Sequence, residues 1–189
     1  MSYHATLSAI INDTIAPAAT TTDREARFPR AAIKALGEAG LLGLVSAREV
    51  GGMGLGLAEA ANVIESIAKA CPSTAMVVCM HYCATTVLEQ HGGETLRRDI
   101  AAGHHLSTLA WSDNGSRSHF WAAVGSARQD GDAVVIDGAK SMVTSAGEAN
   151  SYVWSTAPMA AEGMSTLWYV DSSSSGLSEV KYFDGLGLR

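Results

Sequence analysis

The stretch Leu109–Gly147, LAWSDNGSRSHFWAAVGSARQDGDAVVIDGAKSMVTSAG, decides how the rest of the chain is read. It opens on a strand-like apolar pair, Leu109-Ala110, and breaks into the polar run Ser112-Asp113-Asn114-Gly115-Ser116-Arg117-Ser118-His119. Asp130-Gly131 and Asp137-Gly138 are turn signals between short β-type segments. The stretch closes on Met142-Val143-Thr144-Ser145-Ala146-Gly147, apolar residues running into hydroxyls and a glycine. This predicts a β layer with two hydroxyl-rich corners that a hairpin-like return brings together. Such corners can donate hydrogen bonds to the carbonyl edge of a flat heterocycle. The plain alternative is that the hydroxyls and glycines only make turns.

Outward from this stretch, β-type character continues to the end of the chain. Segments Leu106–Trp111, Ala122–Arg128, Val134–Ile136, Lys140–Thr144, Tyr152–Thr156, Ser165–Val170 and Leu177–Tyr182 read as strands, with Ser172–Gly176 as a polar loop. Toward the N-terminus the pattern is helical instead. Leu7, Ile10, Ile11 and Ile15 share one face of a first helix that Pro17 ends or kinks, and residues 20–27 read as a connection or a frayed helical turn. A second helix begins at Phe28-Pro29, buries Ile33 and Leu36, and closes at Gly40. The glycine-dense loop Glu49–Gly56 lacks the Lys-Ser/Thr of a phosphate loop, so it reads as a structural turn. A third helix, Leu57–Ala70, carries Ala60, Val63, Ile64 and Ile67; a fourth, Ser73–Gln90, is apolar nearly all round and should be the most buried; a fifth runs Thr95–Ala102. The fold class is therefore α+β, an all-α helical domain over residues 1–104 followed by an antiparallel β-barrel or sandwich domain over residues 105–189.

Composition narrows the function. A hydrophobic content of 47% with 17% charged residues describes a chain with a real core, and a net charge of −6 with no Lys/Arg cluster argues against nucleic-acid binding. No apolar run approaches bilayer length, the N-terminus has no basic leader, and three cysteines (Cys71, Cys79, Cys83) fit a reduced, cytoplasmic setting. His104-His105 does not converge on a metal, and no zinc or iron spacing completes a site. His81, on the buried helix, reads as a satisfied core histidine. No Gly-x-Ser-x-Gly elbow supports a serine nucleophile.

The two motifs at the ends of the opening stretch resemble the acyl-CoA dehydrogenase family. That family carries Leu-Ala-x-Thr-Glu-Pro-x-x-Gly-Ser-Asp, here Leu109 to His119, and Asp-Gly-x-x-(Val/Ile)-x-Gly-x-Lys-x-(Trp/Phe)-x-Thr, here Asp130 to Thr144. A Gly-Gly-x-Gly loop between the second and third helices matches Gly51-Gly52-Met53-Gly54 as well. The resemblance implies FAD as cofactor, with Leu109, Trp111, Ser112, Ser118, Met142 and Thr144 as its contacts. The Ser112 position would bond the pyrimidine side of the flavin ring, Trp111 would contribute mainly backbone, and the Thr144 position would bond near the reactive nitrogen. Ser118 matches a serine that touches the cofactor pyrophosphate and the phosphopantetheine of acyl-CoA. Arg117 replaces a glycine and sets bulk and charge where acyl-CoA passes; it would bind substrate or another anion, the cofactor pyrophosphate included. Asn114 replaces a proline, His119 an aspartate and Met142 an aromatic.

The same resemblance implies α,β-desaturation of an acyl-CoA thioester, a place in fatty acid metabolism, a homo-oligomer, and an electron-transfer flavoprotein as partner. In the family a C-terminal helical bundle carries the catalytic glutamate. The chain is expected to stop inside the β domain, short of that bundle, so no catalytic residue is assigned and the chain alone is expected to be inert. A flavin monooxygenase of the same fold and a non-catalytic binding module stay open as alternatives.

Overall fold

The computed structural model describes residues 2–117, 119, 121–159, 162–179, 185 and 188. Six α-helices come first: α1 Tyr3–Ile10, α2 Ala16–Arg24, α3 Arg30–Glu38, α4 Leu57–Ala68, α5 Pro72–His91 and α6 Glu94–Ala101. Among the described residues five strands come after them: β1 Ser107–Ala110, β2 Ser126–Asp130, β3 Ala133–Asp137, β4 Ser151–Thr156 and β5 Thr166–Asp171. The α-then-β order read from periodicity stands.

The helices start where their caps allow. The Ser2 hydroxyl accepts from the Ala5 amide at α1, the Glu59 carboxylate accepts from the Gly56 amide at α4, and the Cys71 sulfur accepts from the Thr74 amide at α5. Pro17 does not end the first helix. A π turn, Ile11–Ile15, passes directly into α2, with Pro17 in its first turn, where a missing N–H is cheapest. Of the two readings for residues 20–27, the helical one holds as far as Arg24. Gly40 sits at φ +72° just past α3, the left-handed stop the sequence implied.

The core of the helical half gathers Leu7, Ile15, Ile33, Leu36, Leu41, Leu42, Leu44, Val63, Ile67, Val77 and Val78, all buried. Burying each of the larger side chains contributes roughly 1.5–3 kcal/mol. Helix α5 is the central element: it packs against α4 on one side and β1 on the other. It is not buried all round, because Cys83 is exposed and Cys79 half-buried while Cys71 is buried.

The described strands form two sheets, ordered β1-β4-β5 and β2-β3, and not a closed barrel. The β1–β4 pair is parallel, a departure from the all-antiparallel expectation; β4–β5 and β2–β3 are antiparallel. The β2–β3 hairpin turns at Gly131, φ +60°, as Asp130-Gly131 signalled. Among the described residues, one expected strand is absent and another is only partly covered. Lys140–Thr144 is irregular: Met142 takes φ +54°, a value no strand accommodates, and Ser145 just beyond it takes +62°. Of Leu177–Tyr182, residues 177–179 are not strand and the rest lies outside the described residues.

Candidate functional site

The two hydroxyl-rich corners meet along one seam beside β1. Strand β1 ends at Ala110, and Trp111 and Ser112 continue its direction before the chain turns at Asn114-Gly115. The Ser112 carbonyl accepts from the Ser141 amide at 2.8 Å, and the Ala139 carbonyl accepts from the Asn114 amide at 2.8 Å. Further along the same seam, the Thr108 hydroxyl of β1 donates to the Thr144 carbonyl at 2.8 Å. The segment that carries Met142 and Thr144 is thus laced to the segment that carries Leu109, Trp111 and Ser112.

Of the residues expected to hold a flavin, Leu109, Trp111, Ser112 and Thr144 are half-buried, and Met142 is 75% exposed. Five of the six lie on this seam; the sixth, Ser118, lies outside the described residues. Arg117 is exposed at φ +52° on the turn after Ser112, so its guanidinium is carried on a strained, solvent-facing corner. The Ser112 and Thr144 side-chain hydroxyls have no protein hydrogen-bond partner among the described residues, which leaves both able to donate. Two free hydroxyls on one seam, beside an exposed thioether and a half-buried indole, suit the polar edge and the apolar face of a fused aromatic ring.

One strong feature of the site was missed as a contact from sequence. The Lys140 ammonium lies 2.9 Å from Oδ1 of Asp113, and each side chain is only 2% exposed. Lys140 also donates to the Ser155 carbonyl at 2.6 Å and to its hydroxyl at 3.0 Å, and its ammonium sits 5.4 Å from the centre of the Trp154 ring. The other oxygen of Asp113 accepts from the Val124 amide at 2.8 Å. Burial pushes the Lys140 pKa down, and the Asp113 carboxylate opposes that shift. The signal available in sequence was one acidic and one basic residue, each set in a stretch of apolar and small polar residues at a motif corner.

His81 takes no part in the seam. It is fully buried, its Nε2 faces the Leu42 carbonyl at 3.1 Å, and its Nδ1 accepts from the Ser107 amide at 3.1 Å. Nδ1 is therefore the bare nitrogen and Nε2 carries the proton, which identifies a neutral core histidine. Burial pushes its pKa down from 6.5 to about 4. His105 bonds the Ser151 hydroxyl at 2.8 Å, which in turn lies 2.9 Å from the Ser107 hydroxyl. Both serines are buried and His105 is half-buried, and this chain of groups holds β1 to β4. No cluster of three or more metal-ligating side chains occurs among the described residues.

Residues 2–103 match the family model described as acyl-CoA dehydrogenase, N-terminal domain. The short-chain specific acyl-CoA dehydrogenase of Bos taurus, a mitochondrial protein by name, is 30% identical over 181 residues, which take in 92% of this chain and 44% of the relative. The chain thus spans less than half the length of that relative. A probable acyl-CoA dehydrogenase from Mycobacterium abscessus superposes with a TM-score of 0.85 at 25% identity, over 98% of this chain and 51% of its own. KijD3, solved with FMN and dTDP-3-amino-2,3,6-trideoxy-4-keto-3-methyl-D-glucose, superposes with a TM-score of 0.76 at 25% identity, over 98% of this chain and 46% of its own. The helical half that supports the seam is the part the family model matches, and on that match the chain belongs to the acyl-CoA dehydrogenase family.

Proposed function

We propose that this chain supplies the flavin-ring cradle of an FAD-dependent oxidoreductase that introduces an α,β double bond into an acyl-CoA thioester. The observation that carries the reading is the seam: Thr108 and Ser141 tie together the two separate segments that carry the Ser112 and Thr144 hydroxyls. FAD, when bound, supplies the acceptor for the hydride that leaves the β-carbon. The residues of this chain do the holding. Ser112 and Trp111 offer backbone and hydroxyl groups to the ring's carbonyl edge; Thr144 offers a donor where negative charge grows as the ring is reduced. Leu109 and Met142 cover apolar ring surface and restrict water. Arg117 presents a cation to the anionic part of cofactor or substrate. No residue of the chain is assigned to remove the α-proton. A cytoplasmic setting, supported by the three free cysteines, and a homo-oligomer and an electron-transfer flavoprotein as acceptor, supported by family likeness, complete the proposal.

A second reading, an oxygen-using flavin enzyme on the same fold, is favoured by two observations. One is the likeness to KijD3, which was solved with FMN and an amino-sugar nucleotide. The other is the cationic corner at Arg117, where the family pattern has a glycine.

The test is an absorbance spectrum of the protein purified as its gene encodes it, and then anaerobic titration with acyl-CoAs of graded chain length. A flavin spectrum that bleaches on titration is the expected result. A flavin spectrum that no acyl-CoA bleaches moves the assignment to the oxygen-using reading. Colourless protein that takes up neither FAD nor FMN overturns both and leaves a binding module.

A further inference from the structure

The Asp113–Lys140 ion pair stands immediately next to the candidate ring contacts on both segments. Trp111 and Ser112 precede Asp113; Ser141, Met142 and Thr144 come after Lys140. The backbones of the two charged residues form an isolated antiparallel bridge, so side chains and main chain cross the gap at the same point. A buried ion pair of this kind is a poor source of stability, because desolvating both charges offsets most of their attraction. Its geometry is nonetheless fully used. The ammonium reaches Asp113 at 2.9 Å and both oxygens of Ser155 at 2.6 and 3.0 Å, and so ties the two corners to strand β4. Asp113 uses its second oxygen to hold Val124, at the entry to the β2–β3 hairpin.

We propose that Lys140 is a positioning residue for flavin binding: with Asp113 and Ser155 as its anchors, it sets the separation between the Ser112 corner and the Met142–Thr144 corner. The inference rests on the flavin reading above and adds to it a residue that touches no cofactor atom. Neutralising the pair while keeping its volume should leave the fold intact and let the corners drift apart.

The experiment compares wild type, the double variant Asp113→Leu/Lys140→Met, and the control Val63→Ala, which thins the helical core at a residue with 0% exposure. Each is purified as the gene encodes it, stripped of flavin, and measured for thermal midpoint and for FAD affinity by quenching of flavin fluorescence. The double variant should melt close to wild type and bind FAD about tenfold or more weakly, whereas Val63→Ala should melt lower and bind FAD within about twofold of wild type. Asp113→Asn, which keeps the shape and the Val124 bond, covers the case in which the double variant does not fold; it should weaken FAD by about threefold or more and move the flavin absorption maximum. FAD affinity within about twofold of wild type in the neutralised variants overturns the positioning role while leaving the flavin reading intact. A wild-type protein that takes up no flavin overturns both together.

Discussion

His81 shows how much one residue fixes. Its ring stands between the Leu42 carbonyl and the Ser107 amide, so it joins α5 to the turn after α3 and to β1. Only the neutral ring satisfies both, since a second ring proton would point at an amide N–H. The pKa in the fold is about 4, below the ordinary 6.5 of the unfolded chain. At pH between those values the unfolded chain therefore binds more protons, and stability must fall as pH falls. The contribution is complete above about pH 6.5, is lost progressively down to about pH 4, and amounts to about 3 kcal/mol. Urea midpoints from pH 8 to pH 4 should decline in that window. His81→Gln, which stays neutral throughout, should be destabilised at pH 8 and should flatten the pH dependence. An unchanged slope in the variant would assign the acid lability to other groups.

Among the elements, the turn from Gly40 to Leu44 is held against α6 by a contact between main chains. A Cβ on Gly43 would run into the Ala101 carbonyl, which is backbone and cannot swing aside. Gly43→Ala is therefore expected to cost about 2 kcal/mol. That corresponds to a drop of about 6 °C in Tm, measured by circular dichroism. The sequence showed Gly43 only as one small residue in an apolar run, because its crowding comes from a segment far along the chain. The same distinction between local and distant causes explains which elements were legible. Helices α3, α4, α5 and α6 arise from apolar spacing and local stop signals, and they lie within a residue or two of where those signals put them. The segment Lys140–Thr144 reads as a strand because its residues favour one. Among the described residues it has no ladder beyond the single Asp113–Lys140 bridge, and Met142 takes φ +54°. At Pro17 the breaker was legible, but the π turn that absorbs it was not. As for the site, the corners were legible as hydroxyl-rich ends; the lacing by Thr108 and Ser141, and the ion pair beside it, join residues too distant in sequence for any spacing rule to show.

Across the whole molecule, the helical and β-rich regions share packing as well as sequence. Ala84 and Leu88 of α5, Ile100 of α6 and Val153 of β4 form one buried cluster, and Arg30 at the start of α3 pairs with Glu148 in the loop before β4. The exposed Arg30–Glu148 pair contributes little; the buried cluster and His81 carry the coupling. All four tryptophans lie beyond Ala110 and most of the helix lies before it, so indole emission reports the second region and ellipticity at 222 nm the first. The two signals are expected to melt with one midpoint. Separate midpoints would show that the regions unfold independently, and the variant Leu88→Ala should drive them apart. Helix α5 adds a built-in clock to these equilibrium probes. Its thiols are graded by exposure, from Cys83 in solvent through Cys79 to Cys71 sealed beneath the helix N-terminus. An alkylating reagent in excess will mark them in that order. Once reagent concentration ceases to matter, the rate at which Cys71 is labelled is the rate at which the central helix opens.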